Sequence, residues 1–327
     1  MKIQRLIKCI ALLVVMFSSA AQAIQVTVSV PPLAGLLKPL LDESDEIVVL
    51  LKPGVSPHGF QLKPSHLKAI QASDALFSIG TPVDGWLEKT LSRVETPVLR
   101  MSGLEGLQTL PIRNGGLWKE PTEDSHHQNE EAHSHSHEGH VDEHKPLDNK
   151  KAKWHYDGHI WLSMKNARLF VESAAELIKI LKPHQVERIE QNKLTWLAKL
   201  SQLDQDLKAK LAPVKDQPYV VLHDAYQYFE VHYQLNGVGS VRLNPEISPS
   251  LKRVRQLRER IAENKIKCIF KEPQFPAKRV LAVVRGLDVQ LGSLDPMGSF
   301  RVGSDAKLIE AGYMPYDVFL TGLADSF

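Results

Sequence analysis

Cysteine is nearly absent from this chain of 327 residues, which has two. Cys9 lies in an N-terminal segment read below as a removed signal, which leaves Cys268 alone. An intramolecular disulfide is thereby excluded, and Cys268, inside "KCIFKEP", reads as a small buried hydrophobe with no ligand role. Long apolar runs are also missing. The first, from Ile10 to about Phe17, is too short to span a bilayer, and nothing later is longer and as apolar. Charge of one sign is lacking, at a formal net +2, and aromatics are only 7%. No basic face with interleaved aromatics occurs, so nucleic acid is not an expected partner. There is no H-E-x-x-H and no G-x-S-x-G, which removes the usual signatures of a zinc protease or a serine hydrolase.

What is present begins with "MKIQRLIKCIALLVVMFSSAAQA". Lys2, Arg5 and Lys8 precede the apolar run, and Ala21-Gln22-Ala23 closes it. That order is a secretory signal over residues 1–23, with the mature chain expected from about Ile24 and exported; the resemblance described below implies the periplasm as its location. The remaining length suffices for two domains with real cores.

Short β-branched runs then alternate with helical patterns. "IQVTVSVPPL", "EIVVLLKPG", "DALFSIG" and "TPVLRM" read as strands. Helices are expected from about Ala34 and in "PSHLKAIQAS", with Ser65 as its cap. Apolar strands separated by helices point to parallel sheet with helical crossovers. The pattern stops at about 112–153. From Glu120 to His144 there are eight Asp or Glu, seven His and no Lys or Arg. Such a stretch buries too little apolar surface to offset chain entropy, so a disordered loop is expected at about 118–153. Its histidines, His126, His127, His133, His135, His137, His140 and His144, form a secondary, weaker metal-binding loop, because unpositioned ligands carry an ordering cost.

"NARLFVESAAELIKIL" follows as a helix stopped at Lys182-Pro183. Leu194, Leu197, Leu200, Leu203, Leu207 and Leu211 then recur at three- and four-residue steps, the stripe of one long amphipathic helix. The βα alternation resumes with "QPYVVLHDAY", a basic helix "SPSLKRVRQLRERIAENK", and strands in "IKCIFKEPQF" and "VQLGSLDPMG". The fold class is therefore α/β: an N-terminal lobe over 24–182, a linking helix over 183–212 and a C-terminal lobe over 213–327.

Ligands of parallel α/β sheets bind beyond the carboxyl ends of the strands. His58 follows the second strand, His223-Asp224 ends "YVVL", Glu272 follows "CIFK", and Asp295 follows "VQLGSL". His159 sits in the turn "YDGHIWLS". If the lobes face each other, three histidines and one or two carboxylates converge, a donor set for a divalent metal of zinc type. Asp157 and Asp224 are candidates to orient the ligand histidines. His66 and His184 read as solvated, and His232 has no evident partner.

The segments "PGVSPHGFQLKPSHLKAIQASDALFSIG", "DGHIWLS", "HDAYQYFE", "NPEISPS", "KEPQF" and "GSLDPMG" run through the whole mature chain in order. Together they resemble the metal-binding solute receptors of bacterial ABC transporters (cluster A-I), in the periplasmic zinc-uptake branch. The resemblance implies two α/β lobes joined by a long rigid helix, with Zn²⁺ carried between them as transported ligand and no catalytic step. It places ligands at His58, His159 and His223, and Asp295 or a water as the fourth. It also implies a membrane permease as partner, allows a periplasmic zinc chaperone, and suggests a monomer. The chain departs from the pattern at Pro57, where some zinc receptors have Glu, at unpaired Cys268, and at Met164, where Pro is usual. Two alternatives stay open: a manganese or iron receptor of the same family, and a secreted zinc hydrolase using Glu272 as base.

Overall fold

The structure is a computed structural model and describes residues 23–114, 117–118, 156–242, 249–263, 266–299 and 311–327. Strand β1 (Gln25–Val28) and helix α1 (Pro31–Leu37) open the first lobe. They are followed by β2 (Glu46–Val49), α2 (Pro64–Ala72), β3 (Ala75–Ser78), α3 (Glu88–Leu91) and β4 (Val98–Arg100). These strands form one parallel sheet in the order β2-β1-β3-β4. Helix α4 (Met164–Leu181) covers the sheet, with Ser163 accepting from the Asn166 N–H as its N-cap.

The linking helix is α5 (Val186–Leu211). The second lobe runs β5 (Tyr219–His223), α6 (Gln227–Tyr233), β6 (Gly237–Arg242), α7 (Leu251–Glu263), β7 (Cys268–Lys271), α8 (Lys278–Val284) and β8 (Gln290–Ser293). Its parallel sheet has the order β6-β5-β7-β8, the pattern of the first lobe repeated. Helix α9 (Tyr316–Ala324) ends the chain. Although it lies in the stretch read as the second lobe, α9 packs on α1 and α5. Gly35 permits this approach, because a Cβ there would collide with the backbone of Met314 and Tyr316.

Several local expectations are corrected. Leu194 is exposed, and the buried stripe of α5 consists of Ile189, Trp196, Leu200, Leu203, Leu207 and Leu211. Trp196 fills that face and donates its indole N–H to the Leu36 carbonyl (3.1 Å). Helix α2 starts at Pro64, with Lys63 rather than Ser65 at the N-cap, since proline's fixed φ suits the first helical position. Strand β6 has a sequence, "GVGSVR", that looks like a loop. Gly239 belongs there because a Cβ would run into the Leu117 side chain, and Leu117 pairs alongside as a parallel bridge. The histidine- and acid-rich stretch lies outside the described residues.

One core runs from the first sheet through α4, α5 and α9 to one face of the second sheet. A smaller cluster under α7 and α8 covers the other face. The first lobe is fastened at its base by a buried cation. Lys182 Nζ contacts Asp45 Oδ1 at 2.6 Å and Asp42 Oδ2 at 2.7 Å. Burial would raise the Asp45 pKa, but the Lys182 ammonium and the N–H groups of Ile24 and Asp42 hold it below the ordinary value. Among the described residues, no helix is long and apolar enough to cross a membrane.

Candidate metal centre

His58 sits on the loop after β2. Gly54 and Gly59 take positive φ (79° and 75°) and bend the chain around it. Ser56 Oγ accepts from the His58 N–H (3.1 Å) and fixes the turn. Among the described residues the His58 Nε2 is buried without a hydrogen-bond partner.

His159 is set by its own turn. Asp157 Oδ1 accepts both the His159 backbone N–H (3.0 Å) and a hydrogen bond with the ring Nδ1 (2.6 Å). The Asp157 N–H donates to Leu110 O (2.8 Å), and its carbonyl accepts from Tyr228 OH (2.8 Å). Gly158 lies against Pro82 and Val83, where a Cβ would come within 2.7 Å of Pro82.

His223 is the last residue of β5, a central strand of its sheet. Strand β7 pairs with β5, so Glu272, one residue past the end of β7, arrives beside it. Glu272 Oε1 meets His223 Nδ1 at 2.7 Å, and the carboxylate is 1% exposed.

These three turns meet. Among the described residues, His58, His159 and His223 form the one group of His, Cys, Asp or Glu whose potential ligand atoms all lie within 4.8 Å of one another. The Nε2 atoms of His159 and His223 are 3.3 Å apart. With Nδ1 of both rings committed to carboxylates, their Nε2 lone pairs point into a common space that the His58 ring closes, at centroid separations of 5.6 and 5.5 Å. Carboxylates behind histidines fix ring and tautomer and raise basicity, as metal sites require. Burial, helped by the neighbouring histidines, pushes the His58 pKa well below the ordinary histidine value and favours the neutral, ligating form. At His159 burial acts the same way, but the Asp157 carboxylate outweighs it and holds the pKa above that value.

Asp295 is not gathered with the histidines. Its Oδ1 accepts from Gln274 Nε2 (2.6 Å) and the Met297 N–H (2.9 Å), and Oδ2 accepts from the Ser299 N–H. Asp224 does not orient a histidine either. It pairs with Arg113, which also reaches Glu230 (2.5 Å) and stacks on Trp118. The orienting role belongs to Asp157 and to Glu272, whose separation from His223 in sequence left no local signal. His66 accepts from the Lys63 N–H through Nδ1 (3.0 Å) and lies against Phe60. His184 is exposed. His232 does have a partner, Asp204 on α5, at 2.5 Å. His126, His127, His133, His135, His137, His140 and His144 lie outside the described residues.

The profile of the family described as zinc-uptake complex component A, periplasmic, matches residues 26–310. The high-affinity zinc uptake system protein of Yersinia pestis is 31% identical over 84% of this chain and 83% of its own. That of Haemophilus ducreyi is 30% identical over 92% and 91%. The crystal structure of ZnuA superposes with a TM-score of 0.68 at 22% identity, over 93% of this chain and 99% of that one. The periplasmic zinc-binding protein TroA from Treponema pallidum gives 0.69 at 20%, over 93% and 98%. The repeated lobes and long linking helix are the fold of these neighbours, and the chain belongs to the family of periplasmic zinc-uptake components.

Proposed function

We propose that the chain captures a zinc ion between its lobes, on His58, His159 and His223, and delivers it to the membrane permease of an ABC transporter. The observation that carries the site is the cluster of three imidazoles within 4.8 Å, two of them held from behind by buried carboxylates. Neutral imidazole suits zinc, whereas manganese and iron favour oxygen, and among the described residues no carboxylate joins the cluster. A water completes the fourth position, since Asp295 is engaged by three donors. Glu272 is spent on His223 and is not placed as a general base. Both lobes and all three histidines come from one chain, which supports action as a monomer. The N-terminal segment is the export signal, removed before the protein works in the periplasm.

Metal content of the purified chain tests the site. Deleting residues 120–150 is expected to leave one tightly held zinc per protein. Loss of tight binding on that deletion would move the primary site into the histidine-rich stretch.

A further inference from the structure

We infer that the turn Asp295–Ser299 is a latch that holds the lobes closed over the captured ion, with Asp295 as its positioning residue. This inference rests on the zinc reading above.

The turn belongs to the second lobe, directly after β8. Both ligand-bearing segments of the first lobe grip it. The Gly54 N–H, from the loop that carries His58, donates to Ser299 Oγ (2.9 Å). Trp161, two residues after His159, donates its indole N–H to the Pro296 carbonyl (2.8 Å). Each bond crosses from one lobe to the other beside a ligand. Other bonds also cross between the lobes, from Tyr228 OH to the Asp157 carbonyl and from Arg113 to Asp224, but none of them involves the turn.

The shape of the turn depends on Asp295. Its two oxygens collect the N–H groups of Met297 and Ser299, which orients the Pro296 carbonyl and the Ser299 hydroxyl toward the first lobe. Gln274 Nε2 bonds both Asp295 and Ser299 (2.6 and 3.1 Å). Gln274 lies two residues after Glu272, so the carboxylate behind His223 and the latch share one short segment. Gly298 turns with φ of 67°, a conformation that favours glycine. A cavity of about 140 Å³, bounded by Asp295, Gly298, Ser299, Met314 and Phe319, adjoins the turn.

A latch formed across the closed cleft acts on escape of the ion rather than on its arrival. Zinc release into excess chelator, zinc association, metal stoichiometry and the visible spectrum of the cobalt(II) form are measured for the full chain and for Ser299→Ala and Asp295→Asn. Ser299→Ala removes an acceptor and is expected to speed release about fivefold, the effect of one ordinary hydrogen bond. Asp295→Asn loosens both crossings and speeds release further. Association rate, one zinc per protein and the cobalt spectrum stay as in the parent. Trp161→Phe, which keeps a ring beside His159, repeats the faster release and guards against misfolding of the Asp295 variant. Unchanged release in Ser299→Ala overturns the latch. A changed cobalt spectrum in Asp295→Asn also overturns it, by making Asp295 a ligand. A parent chain that holds no zinc on its histidines removes the zinc reading and the latch together.

Discussion

The two lobes have the same strand order but hold their histidines by different means. The first lobe presents His58 and His159 on loops. Their supports are local: Ser56 for one, Asp157 for the other. The second lobe presents His223 at the end of a central strand, and its support comes from Glu272 on the neighbouring strand. A turn can carry its own orienting group, because a side chain two residues back folds onto it. A strand end cannot, since successive side chains point to opposite faces and the next on the same face is roughly 6.6 Å along, so the partner must come across the sheet. The first arrangement is legible in sequence and the second appears only with strand pairing.

That difference can be broken by substitution. The largest effects are expected at the three proposed ligands. In a chain lacking residues 120–150, His58→Ala, His159→Ala or His223→Ala is expected to lower zinc affinity by orders of magnitude, measured by competition with a chelator. Unchanged affinity in any one removes that residue from the site. Next is the fastening of the first lobe. Lys182→Met strands the buried Asp45 and is expected to cost about 3 kcal/mol of stability in urea unfolding. The sign with pH is fixed by the lowered Asp45 pKa. Its stabilisation is present above the unfolded carboxylate value of about 3.9 and is lost as pH falls through the folded one. The parent should therefore keep its margin over the variant near neutrality and lose it in acid.

Smaller effects compare the two supports directly. Asp157→Asn and Glu272→Gln should each weaken zinc binding roughly ten- to a hundredfold while leaving one site per chain. Equal zinc affinity in parent and variants would deny the carboxylates their orienting role. The smallest effect is a shift in pH profile. Asp157 raises the His159 pKa, so protons compete with zinc there from a higher pH than at His58, whose pKa is depressed. Affinity of the parent should fall as pH drops through about 6.5 and below. Asp157→Asn should move that onset to lower pH, and an unmoved onset would assign the proton elsewhere.

Much of this was readable in the chain. Seven of the eight strands among the described residues are short apolar runs with clear edges, and β6 is hidden because its glycines serve close packing, Gly239 against Leu117 and Gly237 against Glu230. His58 and His223 follow from the rule that ligands collect beyond strand ends, whereas His159 sits in a turn ahead of a helix. Asp295 obeys the same rule, yet the structure ties its oxygens into a turn. Sequence places a carboxylate at a strand end but does not count the backbone donors that compete for it. Asp224 was assigned to a histidine by adjacency, whereas Arg113, far away in sequence, claims it. The Leu194 error has a similar origin: leucine spacing alone does not show where Trp196 takes over the buried face.

The return of the last helix to the first lobe has a consequence for the order of folding. Helix α9 lies on α1, which α4 also contacts, so the cover of the earliest described helix is complete only when residues 316–324 are in place. Contacts between distant segments form late, because a long loop must close first. The second lobe can gather its own sheet while the first still lacks part of its cover. A chain built this way completes its first lobe only when the residues of its last described helix are in place.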